Sequence, residues 1–307
     1  VIAPSPLILA NQAWLSWPES VAVMKALNSD APDMARFVGG AVRDAVLGRA
    51  VKDIDIATKW TPQAAVEKLQ AAGIKVVPTG IDHGTITAVV GHRPFEITTL
   101  RRDVATDGRR ATVAFTDDWT EDAARRDFTM NALYADMQGQ VFDPFGGVAD
   151  AQAGRVRFIG DAETRIEEDA LRILRFFRFH AWYGENNGQG APDADGLAAC
   201  VKRRADLCIL SVERVATELL RLLAAPSPAP TVRLMASQGI LAMVLPEAAY
   251  FDRLDRLVVL EQRRREADAL RRLGALLPDG GAAVGDRLRL PKRDQLRLAE
   301  MVMPRED

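Results

Sequence analysis

Along the first half of the chain the spacing of apolar and polar positions changes period over short distances. Residues 20–27 carry apolar side chains at helical spacing, and Arg36-Phe37-Val38 reads as a short strand running into Gly39-Gly40. Residues 41–47 look helical, and Ile54-Asp55-Ile56 alternates as a half-buried strand does. Thr61 and Pro62 mark the next helix, Thr as N-cap and Pro at the first position, through about Ala71. Three β-rich runs follow, at 75–77, 85–90 and 95–100, the last two joined through Gly91-His92-Arg93-Pro94 as a hairpin. From Asp161 the β signal fades. Residues 163–181 give one long helical pattern and 212–224 another, while 184–195, with Asn186-Asn187-Gly188, reads as a surface loop. The run Ala225-Pro226-Ser227-Pro228-Ala229-Pro230 is a linker or a tight bend, and 231–301 is all helical. The expectation is a mixed head followed by a helical neck and body, with no internal repeat.

Composition narrows the function classes. The 307 residues are 48% hydrophobic and 27% charged with a net charge of −2, which excludes disordered, collagen-like and coiled-coil chains. No apolar run approaches the roughly 18–20 residues of a membrane span, and residues 1–10 lack the basic segment of a signal peptide. Two cysteines, Cys200 and Cys208, and three histidines argue for a reducing cytoplasm and against a Cys/His zinc site. Both cysteines read as core-packing thiols. Of the 40 basic residues, 33 are arginine, the side chain whose planar fork suits phosphates and base edges; genome composition accounts for much of that excess, so position must decide.

Three features of the head share one chemistry. Gly39-Gly40 between a strand and a helix lets backbone amides approach an anion, and Arg43 lies one turn into that helix. Asp53 and Asp55, two apart on a strand, project to one face while Ile54 and Ile56 pack inward; hard oxygen donors of this kind suit Mg²⁺. Glu96 alternates with Phe95 and Ile97, and completes a three-carboxylate site if its strand neighbours the aspartates. Taken singly, these are a turn, two solvated acids and a surface glutamate. In the neck, Asp169, Arg172, Arg175 and Arg178 recur every third residue along the expected helix, with Leu171, Ile173, Leu174, Phe176 and Phe177 filling its core directions. Alone, such a stripe is an ion-paired helix face.

Together the motifs carry a resemblance. Phe37-Val38-Gly39-Gly40-Ala41-Val42-Arg43-Asp44 and Lys52-Asp53-Ile54-Asp55-Ile56-Ala57-Thr58, followed by His83-Gly84-Thr85, Glu96-Ile97-Thr98-Thr99, Arg125-Arg126-Asp127-Phe128-Thr129-Met130-Asn131, Asp143-Pro144-Phe145-Gly146-Gly147, Glu168-Asp169-Ala170-Leu171-Arg172 and Ser211-Val212-Glu213-Arg214, stand in the order seen in one family. The chain resembles class II nucleotidyltransferases of the DNA polymerase β superfamily, the branch of CCA-adding tRNA nucleotidyltransferases and bacterial poly(A) polymerases. The resemblance implies an α+β fold: a nucleotidyltransferase head over 1–150 with a mixed sheet flanked by helices, an all-α neck over 151–226 and a body over 227–307, without a full tail. It also implies Mg²⁺-dependent transfer from CTP and ATP to the 3′ end of tRNA; no membrane is expected from the composition, and no protein partner is inferred.

The resemblance assigns roles by position. Asp53 and Asp55 would hold Mg²⁺, Glu96 would be the third carboxylate, and Gly39, Gly40 and Arg43 would hold phosphates. Arg126 and Asn131 match positions at the sugar and phosphates. Asp169 and Arg172 would form a protein template: a carboxylate accepts and a guanidinium donates, which suits C and A and leaves U and G with mismatched groups. Arg175 and Arg178 would face the triphosphate or the RNA end. The polar stretch 101–119 is similar to the family's mobile loop associated with switching from C to A. Residues 77–85 look like the CCA-adding version, with poly(A) synthesis as the alternative and a catalytically silent RNA-binding protein as a second. Basic runs at Lys202-Arg203-Arg204 and Arg263-Arg264-Arg265 could meet phosphate backbone or simply be solvated.

Overall fold

The computed structural model has, among its described residues, ten strands: β1 (Pro4–Ile8), β2 (Ala35–Val38), β3 (Asp55–Thr58), β4 (Lys75–Gly80), β5 (Thr85–Val90), β6 (Arg93–Thr99), β7 (Arg101–Thr106), β8 (Ala111–Phe115), β9 (Tyr134–Ala135) and β10 (Gln140–Phe142). The structure describes residues 4–9, 12–81, 84–106 and 111–302. It divides into two units, Val1–Gln152 with Arg157–Gly160, and Ala153–Val156 with Asp161–Asp307.

In the first unit, eight strands form one mixed sheet in the order β1-β10-β9-β2-β3-β6-β5-β4. Neighbours are antiparallel except β3 and β6, which run parallel with Asp55 opposite Glu96. Strand alternation sorts the side chains into two layers. Phe37, Ile54, Ile56, Phe95 and Ile97 join the larger core with Trp14, Met24, Leu27 and Leu69. Val38 and Ala57 face the opposite side, in a smaller cluster with Leu100, Trp119 and Tyr134. The helices Pro18–Leu27 and Pro62–Ala71 cover the larger core; each has Pro in its first turn, and the Thr61 side chain caps the second as expected.

Three local expectations change. The β5–β6 turn is two residues, Gly91-His92, at φ +55° and +66°, so β6 starts at Arg93; a turn with both residues left-handed matches strand twist. The stretch 101–119 is an antiparallel β7–β8 ribbon rather than a plain loop, and its tip, residues 107–110, lies outside the described residues. Strand β1 had no counterpart in the pattern, because prolines mask a strand; at a sheet edge they are tolerated.

Helices are the only regular elements among the second unit's described residues, joined by irregular segments such as 184–193. The single helix expected over 163–181 is two, Ala162–Glu168 and Leu171–Tyr183, broken at Asp169 (φ −155°, ψ 104°). Its carboxylate Oδ1 accepts the Leu171 N–H at 3.1 Å, and this local bond offers the chain an alternative to the helical ladder. Residues 225–228 form a tight bend, held by Arg272: its Nη1 donates to Leu223 O at 2.5 Å and Ala225 O at 2.6 Å while Nε donates to Glu261 at 2.6 Å. Cys200 is buried as expected, but Cys208 is exposed and packs no core. No helix among the described residues is long and apolar enough to cross a membrane.

Candidate active site

Strand β2 ends at Val38, opposite Asp55 on β3, and the chain then turns through Gly39 into the helix Gly40–Val46. Gly39 sits at φ +67°, ψ −120°, a conformation that strains any residue with a Cβ. Its N–H donates to Leu133 O at 3.0 Å, which fastens the turn to the Arg125–Leu133 motif. A Cβ on Gly39 would stand 3.7 Å from Arg126 Nη1, and one on Gly40 3.7 Å from Arg43 Nη2. Arg43 Nη1 donates to Asn131 Oδ1 at 2.6 Å, and Asn131 Nδ2 donates to Asp127 Oδ1 at 2.9 Å. Arg43 also donates to Asp44 Oδ1 through Nε at 3.0 Å and Nη2 at 2.9 Å, so Gly39, Gly40, Arg43, Arg126 and Asn131 stand at one place against the end of β2, their arginines partly balanced by aspartates.

The acids lie beside it. The parallel register sets Asp55 and Glu96 side by side on the face opposite Ile56 and Ile97. Asp53 precedes β3 rather than lying within it, and it is exposed, as is Glu96. The half-buried Asp55 carboxyl is pushed up to about 6, first by burial and then by the charges of Glu96 and Asp53, with Arg126 opposing. Crowded, partly desolvated oxygen donors of this kind fit a hard divalent cation. Among the described residues, no three Asp, Glu, His or Cys side chains gather into a closed metal cage, so Glu96 stands next to Asp55 without completing one. Mg²⁺ commonly takes one or two carboxylates and completes its shell with water and substrate phosphates, which these residues suit.

Asp122 and Tyr134 were missed in the sequence. Asp122 is 1% exposed and bonds Arg126 through Nε (3.2 Å) and Nη2 (2.9 Å) and the Tyr134 hydroxyl (2.8 Å). Burial opposes its charge, yet the Arg126 and Arg125 guanidiniums hold the carboxyl well below the usual range. The available signal was the i,i+4 spacing of Asp122 and Arg126.

In the second unit the stripe separates. Asp169 and Arg172 do not pair: Asp169 Oδ2 accepts from Arg214 at 2.7 Å, and Arg172 Nη1 donates to Glu168 at 2.6 Å and to Arg165 O at 3.0 Å. Because the helix breaks at Asp169, that residue lies ahead of the face carrying the arginines. Arg178 Nε donates to Glu218 at 2.5 Å, with Arg175 Nη1 4.0 Å from the same carboxylate, which is 4% exposed. Both arginines thus stand beside Glu218 of the helix Val212–Leu223. Of the basic runs, Lys202 pairs with Glu163, and Arg203 with Glu167 and Asp206.

Comparison with known proteins agrees with this layout. Residues 35–157 match the poly A polymerase head domain, and 192–252 match the probable RNA and SrmB-binding site of polymerase A. The human mitochondrial CCA tRNA nucleotidyltransferase 1 is 46% identical over 189 residues, 61% of this chain and 43% of that protein. The Geobacillus stearothermophilus CCA-adding enzyme is 38% identical over 224 residues, 72% of this chain and 53% of that one. Among solved structures, the Bacillus stearothermophilus CCA-adding enzyme in complex with CTP superposes with a TM-score of 0.71 at 33% identity, covering 93% of this chain and 66% of that chain. The Thermotoga maritima CCA-adding enzyme complexed with tRNA shares the fold, with a TM-score of 0.73 at 22% identity, covering 97% of this chain and 72% of that chain. The chain spans about half the length of the sequence relatives it matches. By motif order, matching domains and fold, it belongs to the class II family of CCA-adding enzymes and poly(A) polymerases.

Proposed function

We propose that the chain carries the catalytic part of a CCA-adding tRNA nucleotidyltransferase, transferring CMP and AMP from CTP and ATP to the tRNA 3′ end. The observation behind this reading is the in-register pair Asp55–Glu96 beside the Gly39, Arg43, Arg126 and Asn131 turn. The relatives' names support the substrate, and a solved relative holds CTP. The family is generally dependent on a divalent metal; here Asp53 and Asp55 would hold Mg²⁺, which when bound activates the attacking hydroxyl and neutralises phosphate charge. Arg43, oriented by Asn131 and Asp44, and Arg126, gripped by Asp122, would present guanidinium donors to the phosphates at the turn. Phosphoryl transfer asks for little more than such positioning and charge.

Base choice is assigned to Asp169 and Arg172. Asp169 would accept from the amino group of C or A beside or in place of its bond with Arg214, and Arg172 would donate beside or in place of its bond with Glu168. The division into head (1–150), neck (151–226) and body (227–307), and a cytoplasmic setting inferred from scarce thiols, belong to the same reading. Incubation with tRNA lacking its CCA end, Mg²⁺ and labelled CTP then ATP tests it. Ordered addition of two C and one A is the expected result. Unlimited A addition to generic RNA would establish poly(A) synthesis instead, and no incorporation would leave an RNA-binding scaffold.

A further inference from the structure

Asp122, on the helix Trp119–Ala124, lies at a junction that the reaction chemistry leaves unused. Its Oδ2 receives Arg126 Nε and Nη2 together with the Tyr134 hydroxyl. Its Oδ1 receives Arg125 Nε at 3.0 Å and the backbone N–H of Arg101 at 3.2 Å, the first residue of the β7–β8 ribbon. One buried carboxylate thus joins the arginine at the glycine turn, strand β9 through Tyr134, and the root of the ribbon. It grips Arg126 side-on through two nitrogens and leaves Nη1 beside Gly39. A long arginine side chain loses rotamer freedom when fixed, and here that loss is met within the protein before a nucleotide arrives.

We infer that Asp122 is a positioning residue: it holds Arg126 against the glycine turn for the incoming nucleotide and couples that arginine to the β7–β8 ribbon. The inference rests on the proposed function. It is tested with Asp122→Asn, Tyr134→Phe, Arg126→Ala and the double variant Asp122→Asn/Arg126→Ala, measuring CTP incorporation on tRNA lacking CCA and CTP binding by calorimetry. Asp122→Asn raises KM for CTP at least about tenfold with KM for tRNA unchanged, since a charge-assisted bond is lost on one ligand's side only. Tyr134→Phe gives a smaller rise in the same direction. The double variant is no worse than Arg126→Ala alone, because Asp122 acts through Arg126. Amide exchange at Arg101 quickens in Asp122→Asn and not in Arg126→Ala.

Equal rises in both KM values, or additive losses in the double variant, would show a merely structural residue and overturn the inference. If Asp122→Asn does not fold, Tyr134→Phe carries the test, and an unchanged KM for CTP in it is an overturning result. A wild type that adds no CTP defeats the functional reading alone, and calorimetry then decides the positioning: weaker CTP binding in Asp122→Asn supports it, unchanged binding overturns it.

Discussion

Replacing Asp55 by Asn should make the metal-free protein more stable while abolishing transfer. In the native state its carboxyl sits near 6, through burial and then the neighbouring charges of Glu96 and Asp53, against an ordinary 3.8. The native state therefore binds this proton more tightly than the unfolded chain. The corresponding stability is fully present below 3.8 and is lost as pH rises through 6. The tighter proton binding corresponds to about 3 kcal/mol, an upper bound for a half-buried group, and roughly half is already lost at pH 5. Asp55→Asn should thus gain up to about 1.5 kcal/mol at about pH 5 and up to about 3 kcal/mol at about pH 8. At roughly 2–4 °C per kcal/mol, the gain at the higher pH is up to about 6–12 °C in Tm. Urea and thermal unfolding in EDTA at both pH values measure it. Added Mg²⁺ should then raise the wild-type Tm at the higher pH and leave the variant unmoved. A variant no more stable than wild type there, or an identical increment at both pH values, refutes the crowded-carboxylate argument.

Three other outcomes follow from the geometry. Asp169→Ala should admit UTP and GTP relative to CTP, lowering discrimination at least about tenfold in single-turnover assays; retained selectivity would place base choice elsewhere. Gly39→Ala should lose roughly 1–3 kcal/mol in urea unfolding, from its φ of +67°, and most activity with it. Arg272→Ala leaves the buried Glu261 with only its 3.3 Å ion pair to Arg271 and strips the Leu223 and Ala225 carbonyls of this donor, so it should lose up to about 3–5 kcal/mol, part of which Glu261→Gln restores in the double variant.

Features written into local chemistry were legible in the sequence. Thr61 and Pro62 cap a helix because hydroxyl and ring act within one turn, and Ile54 and Ile56 betray a strand because burial imposes a period of two. The glycine turn and its arginine were readable for the same reason. What escaped depends on partners distant along the chain. Asp169 shows helical spacing on both sides, yet its own carboxylate ends one helix and starts the next. Asp122 looks like any surface acid until Arg101, Arg126 and Tyr134 converge on it. The template role of Asp169 and Arg172 comes from the resemblance, and no local spacing announces that Arg214, more than forty residues on, bonds the aspartate. Pro4–Ile8 hid because a strand partnered on one side obeys looser rules than an interior one.

The one parallel pairing in the sheet also bears on how the molecule comes to be active. Asp55 and Glu96 lie roughly forty residues apart, and the intervening chain forms the helix Pro62–Ala71, β4, β5 and the Gly91-His92 turn, all local structures, whereas β6 on β3 is a distant pairing. Hairpins close in microseconds, whereas non-local pairing waits on costly loop closure. The expected consequence is that the acidic pair assembles after the local helices and hairpins during refolding. Recovery of transfer activity should lag recovery of helical circular dichroism, with the lag lengthened by substitutions that weaken the Gly91-His92 turn.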